Sequence, residues 1–265
     1  ILSTLRARIK AVETLMSQNR WDEIEFDKLP SQAGLKYRNA FAHNDYTKER
    51  YAAFAADKET KVHAATLHPC EVVKRAIGAD YADDTKRAMI NKYWDNLTDY
   101  FKGAVFNGVA VVDTSASMTW AYGNNILPIH VAIALGLYCA TKCSPESPWY
   151  NHYISFASRP QLIECIGVDF VDMVNRIYET NLCDNTDIEA VFDLLLEVAR
   201  ENRLSQEQMP QNVVVISDME FDTVTYDNEP PFEVIEKKFA AAGYKMPRLV
   251  FWNAAARNDN FAMEA

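Results

Sequence analysis

Apolar positions along the first hundred residues recur at helical intervals. Leu2, Leu5, Ile9, Val12 and Met16 mark one face of a helix over residues 1–18. The stretches SQAGLKYRNAFAHND, TKERYAAFAADKE, HPCEVVKRAIG and DDTKRAMINKYWDNLTDYF predict four more. Pro69 suits a first helical turn and Gly78 a helix end. The aromatic residues Tyr37, Phe41, Tyr51, Phe54 and Trp94 are expected to pack helix against helix. No fixed-period repeat is visible.

From residue 108 the pattern changes. VAVVD (109–113), HYISFAS (152–158), NVVVIS (212–217) and RLVFWN (248–253) are short apolar runs that read as strands, and QLIEC (161–165) is expected to pair with HYISFAS across a tight Arg159–Pro160 turn. Between them lie helical patterns: PIHVAIALGLYCATK, DFVDMVNRIYET, TDIEAVFDLLLEVAREN and PPFEVIEKKFAAAG. In the first of these, Ile129, Ile133, Gly136 and Ala140 form one stripe. In the third, Ile188, Val191, Phe192, Leu195 and Ala199 do so. Fully apolar strands alternating with helices imply a mostly parallel sheet covered on both faces. The expected fold class is therefore α/β: a mostly parallel sheet flanked by helices over 107–265, preceded by an all-helical region over 1–106.

Charge sharpens that division. The net charge is −10. Residues 1–107 hold 17 Lys/Arg and 15 Asp/Glu, whereas residues 108–265 hold 10 and 22. The acidic second part argues against broad contact with nucleic-acid phosphates. No run of about 18 apolar residues exists to form a membrane span. The five cysteines are odd in number and form no CxxC pair, which predicts reduced thiols and an intracellular, cytoplasmic protein. Cys139 and Cys143, at i and i+4 on an apolar helix, are expected to be small core residues rather than metal ligands. The chain begins at Ile1, so any native targeting segment lies outside what can be read.

Candidate chemistry gathers at strand ends, where open α/β sheets bind ligands. Asp113 ends VAVVD and is followed by Thr114, Ser115, Ala116 and Ser117. Asp218 follows NVVVIS. A D-x-S-x-S loop places one carboxylate and two hydroxyls on a short turn, a set of oxygens suited to a hard divalent cation. Capping alone would account for isolated Ser, Thr and Asp, and Thr186 with Glu189 spells a capping box. It does not account for Asp113 and Asp218 together.

In these elements the sequence resembles the von Willebrand factor A domain. DTSAS matches the first element of that family's metal-ion-dependent adhesion site at Asp113, Ser115 and Ser117. NTDIEAVFDLLL matches its threonine element at Thr186, and VVVISDMEFD its last element at Asp218. HYISFAS matches the family's second strand. The resemblance covers 108 to about 253. It implies Mg2+ or Mn2+ held by Asp113, Ser115, Ser117, Thr186 and, through water, Asp218. It further implies a protein partner that offers an exposed Asp or Glu to the ion. The family's sixth strand and closing helix would follow RLVFWN, and the chain as given stops before them.

The helical region joined to such a domain is also similar in layout to the Ro/TROVE ribonucleoproteins, on the strength of the LHP helix and the domain order. That likeness implies RNA contacted by the helical region.

Enzymatic readings fare worse. A haloacid-dehalogenase-type phosphatase needs a carboxylate at the position of Ser115. A response-regulator receiver needs an acidic cluster and a late lysine, and neither is evident. A serine hydrolase needs G-x-S-x-G, and none is present. His43, His63, His68, His130 and His152 form no catalytic spacing with Ser and Asp. A non-enzymatic binding protein is expected, with no indication of its oligomeric state.

Overall fold

A computed structural model describes residues 11–79, 83–120, 125–179, 187–219 and 231–255, the side chain of Pro231 excepted. Two compact units result. One comprises residues 1–99 with Asp169–Asp172, and the other residues 100–168 with 173–265.

The described helices of the first unit are α1 (Val12–Ser17), α2 (Ser31–His43), α3 (Lys48–Ala56), α4 (Pro69–Ala76) and α5 (Asp84–Asp95). The start of the helix expected over 1–18 lies outside the described residues. Two 3-10 turns, Trp21–Glu23 and Phe26–Lys28, connect α1 to α2. An aromatic cluster holds the unit together. Phe26 meets Phe41, Tyr51 and Phe54 at centroid distances of 5.5, 5.0 and 5.7 Å, and Phe41 meets Tyr51 edge-on at 5.5 Å. The periodic pattern extends past Asp95, but α5 stops there. Asn96 Nδ2 donates to the Lys92 carbonyl at 2.9 Å and competes for the helix's terminal acceptors.

Lys92 is a buried cation, only 7% exposed. Its ammonium donates to the carbonyls of Phe54 (2.8 Å) and Asp57, and sits 4.6 Å from the Phe54 ring centroid. It thereby satisfies carbonyls left open at the end of α3, where a positive charge also suits the helix dipole. Burial pushes its pKa below the ordinary lysine value, against the opposing pull of Asp57.

The second unit is a five-stranded sheet in the order β3-β2-β1-β4-β5. Its strands are β1 (Gly108–Asp113), β2 (His152–Phe156), β3 (Leu162–Glu164), β4 (Asn212–Ser217) and β5 (Arg248–Asn253). All neighbours run parallel except β3, which pairs antiparallel with β2, Tyr153 opposite Ile163. The β2 strand ends at Phe156, two residues before the apolar pattern does. Ser155 starts the turn, donating its N–H to the Gln161 carbonyl and accepting from the Gln161 N–H on its hydroxyl, each at 3.0 Å.

Helices α6 (Pro128–Lys142), α7 (Phe170–Glu179), α8 (Ile188–Glu201) and α9 (Pro231–Ala241) complete the described helices. Alternation along the strands splits the core into two faces. Val109, Val111, Ile154, Phe156, Val213 and Val215 pack with Val191, Phe192, Leu195 and Ala199 of α8 and with Ile235 and Phe239 of α9. The opposite face carries Val112, against which Gly136 of α6 is pressed. Cys139 and Cys143 are buried, and Cys143 Sγ donates to the Gly108 carbonyl at 3.3 Å. Burial pushes the Cys139 thiol up to about 12.

Gly136 is a tight point in the α6 packing. A Cβ there would lie 2.4 Å from Val112 Cγ2, on a β-branched side chain with little rotamer freedom. Replacing a helical glycine ordinarily raises helix propensity by up to about 1 kcal/mol. Here Gly136→Val should instead destabilise the protein by about 1–3 kcal/mol, the usual cost of overpacking. Urea unfolding would measure it, and an unchanged or raised midpoint would show that α6 can retreat without loss.

Candidate metal centre

Strand β1 is buried along its whole length, so its last residue, Asp113, is withdrawn from water at 0% exposure. A carboxylate in that position needs donors, and the loop after β1 and the neighbouring strand β4 supply them. The loop after β1 folds back so that the Ser115 N–H donates to Asp113 Oδ1 at 2.9 Å. A 3-10 turn, Ala116–Thr119, then brings the Ser115 and Ser117 hydroxyls within 3.1 Å of each other, anchored by Met118 at 0% exposure. From the neighbouring strand, Ser217 Oγ donates to Asp113 Oδ2 at 2.6 Å.

Register explains the last contact. Val112 lies opposite Ile216 in the parallel β1–β4 pair, so the residues that follow, Asp113 and Ser217, leave the sheet side by side. Ser217 also accepts the Met219 N–H at 3.1 Å. Met219 takes φ +65°, a left-handed conformation unusual for a side chain of this kind. The chain thus turns sharply just after Asp218, which is 7% exposed.

The electrostatics follow from this crowding. Burial raises the Asp113 pKa above the ordinary carboxylate value. The hydrogen bonds from Ser217 and Ser115 oppose that rise, and the Asp218 charge adds to it. Two acidic side chains therefore lie at adjacent, nearly dry strand ends.

Of the five residues singled out in the sequence, the structure brings Asp113, Ser115 and Ser117 onto one turn and sets Asp218 at the end of the adjacent strand. Thr186 lies outside the described residues. The capping reading of Thr186 with Glu189 gives way to another arrangement: Asp187 is the N-cap of α8, its side chain accepting the Ala190 N–H at 3.1 Å. Ser217 escaped the sequence reading. Its signal was its place immediately before Asp218, which becomes informative once β1 and β4 are known to be neighbours.

The donor set fits a hard cation in kind: carboxylate and hydroxyl oxygens on one turn, with a second carboxylate whose charge reaches the first. It is sparse in number. Among the described residues, no three His, Cys, Asp or Glu side chains cluster as a metal site would require.

Comparison with known proteins gives the chain a family. Residues 107–265 match the family described as "Domain of unknown function (DUF7788)". The chain belongs to that family. Residues 1–104 match a second, "Domain of unknown function (DUF2828)". An uncharacterised protein of Acanthamoeba polyphaga mimivirus is 30% identical over 278 residues, covering 98% of this chain and 46% of that protein. Among solved structures, the Ro (Rsr) protein of Deinococcus radiodurans matches 95% of this chain and 54% of its own, with a TM-score of 0.50 and 16% identity. That likeness is one of fold. The DUF7788 chain spans about half the length of the proteins it matches. No described helix is long and apolar enough to cross a membrane.

The Ser217–Asp113 bond gives a direct test of the site's internal support. Ser217→Ala removes a donor from a buried carboxylate and should cost about 1–3 kcal/mol in chemical denaturation without divalent ions. Stability equal to wild type would mean that Asp113 finds another donor.

Proposed function

We propose that this DUF7788 protein is a non-enzymatic binding protein of Ro-like layout whose helical unit contacts RNA. The observation that carries this reading is the likeness of fold to a Ro protein along 95% of the chain. The charge distribution sets its scale. With 17 basic against 15 acidic residues in positions 1–107, only a local patch can meet phosphates, so binding should be modest and strongly salt-dependent. Two or three phosphate contacts to a single strand would give log K against log salt a slope of about −1.4 to −2. Fluorescence anisotropy with a single-stranded RNA, titrated at several salt concentrations, measures that slope. No binding at about 0.05 M salt with micromolar protein would remove the RNA reading.

A second reading is favoured by the paired carboxylates at the ends of β1 and β4. The resemblance to A domains supports Mg2+ or Mn2+ held by Asp113, Ser115 and Ser117, with Thr186 and Asp218 completing the set. The ion would supply positive charge to an incoming Asp or Glu of a partner protein, which the acidic unit would otherwise repel. This reading predicts that Mg2+ stabilises the protein by about 2.7 kcal/mol at a hundredfold excess over its Kd. Asp113→Asn should abolish that gain while raising stability in chelator, because it removes a buried charge. Thermal unfolding with and without Mg2+ distinguishes the two proteins, and an equal Mg2+ response in both would exclude Asp113 as a ligand.

A further inference from the structure

The second unit carries a cleft that neither reading uses. It lies where β4 and β5 begin, Asn212 opposite Arg248, at the end of the sheet away from Asp113. Six residues of extended strand set the two ends about 20 Å apart. Hydrogen bonds fix the walls of the cleft. The Lys245 N–H donates to Gln206 Oε1 at 2.6 Å, the Arg248 N–H to the Gln211 carbonyl at 2.8 Å, and the Tyr244 hydroxyl to the Leu204 carbonyl at 2.8 Å. The loop that enters β5 is thereby held against the 3-10 turn Gln206–Gln208 and the chain that enters β4.

The cleft has a volume of about 550 Å³, and its lining brings together Gln211, Lys245 and Arg248, with Pro210 and Pro247 buried among them. The side chains of Gln211, Lys245 and Arg248 make no hydrogen bond or ion pair among the described residues. Glu207 adds one carboxylate to the same lining, and the Ser205 hydroxyl holds it below the usual carboxylate range. Unpaired cations are unexpected in this part of the chain, because residues 108–265 hold 10 Lys/Arg against 22 Asp/Glu. Lys238 shows the ordinary outcome, meeting Glu189 at 2.6 Å and Asp193 at 2.7 Å. Two cations and an amide thus line one opening with their donors unspent.

We propose that this cleft is a binding site for a phosphate group, held by Arg248, Lys245 and Gln211. A phosphate group carries about −1.5 to −2 charges and three acceptor oxygens, which matches two cations and an amide. The Arg248 guanidinium can engage two of those oxygens as a fork, while Lys245 supplies a point charge on a flexible stem. A carboxylate offers one charge and two oxygens, and leaves a donor unmet. Pro210 and Pro247 have no N–H of their own and add an apolar wall, against which the body of a phosphate ester can rest. The site requires neither proposed function: it lies at the opposite end of the sheet from Asp113, and it is not on the helical unit.

Isothermal titration calorimetry on the full 265-residue chain tests the site, with inorganic phosphate and phenyl phosphate compared against acetate at equal ionic strength. A saturable heat is expected from phosphate and not from acetate over the same concentrations. Arg248→Gln should weaken phosphate affinity at least about tenfold, the loss expected for a charge-assisted pair of hydrogen bonds, and Lys245→Gln by a smaller factor. Arg200→Gln removes one positive charge from an exposed position of α8 outside the cleft, and should leave the affinity within about twofold because solvent and salt screen it. A response to phosphate no larger than that to acetate overturns the proposal. So does an affinity unchanged in both Arg248→Gln and Lys245→Gln, or an equal loss in Arg200→Gln, which would make binding a matter of net charge alone. The two phosphates identify the source. Tighter binding of phenyl phosphate supports an ester seated against the prolines, and equal binding supports free phosphate.

Discussion

A carboxylate removed from water at the end of the central strand is the constraint around which the second unit is organised. Asp113 reaches that position because β1 is flanked by β2 and β4 and covered on both faces. Once there, it must be met by donors, and each nearby irregularity provides or positions one. The loop after β1 turns its Ser115 N–H inward. Ser217 leaves β4 in register with it. The left-handed Met219 carries the chain away immediately afterwards.

The sheet was readable in the sequence because its strands are apolar on both faces and its helices are not. VAVV and VVVIS read as core strands and the stripe of α8 as a covering helix, whereas RLVFW, equally apolar, forms the half-buried edge strand β5 with Trp252 51% exposed. Strand order was not readable, since apolar runs carry no record of their neighbours. Ser217 was missed for that reason, and with it half of the support for Asp113. Asp113, Ser115 and Ser117 were legible because they are close in sequence. Local hydrogen bonding was harder to foresee: Asn96 ends α5 against a pattern that continues, and Asp187 caps α8 in place of Thr186.

The first unit follows a different logic. Its helices are short and their apolar faces narrow, so aromatic rings clustered about Phe26, Phe41 and Tyr51 do much of the joining. Such large groups leave polar atoms stranded at the margins. Lys92 is fully accommodated by carbonyls from a neighbouring helix end. Arg38 is met less completely: its Nη1 reaches the Leu35 carbonyl at 2.8 Å, while its Nε is buried without an acceptor among the described residues.

The strand order also has a kinetic consequence. The β2–β3 hairpin joins residues close in sequence and can form in about 1–10 μs. The Ser217–Asp113 bond joins residues 104 positions apart, and it requires β4 to settle beside β1 after a long excursion of chain. Closure of so large a loop is entropically costly and belongs to the later stages of assembly. Until then Asp113 remains hydrated. Dehydration of this carboxylate therefore depends on a long-range pairing that the local β2–β3 hairpin does not supply.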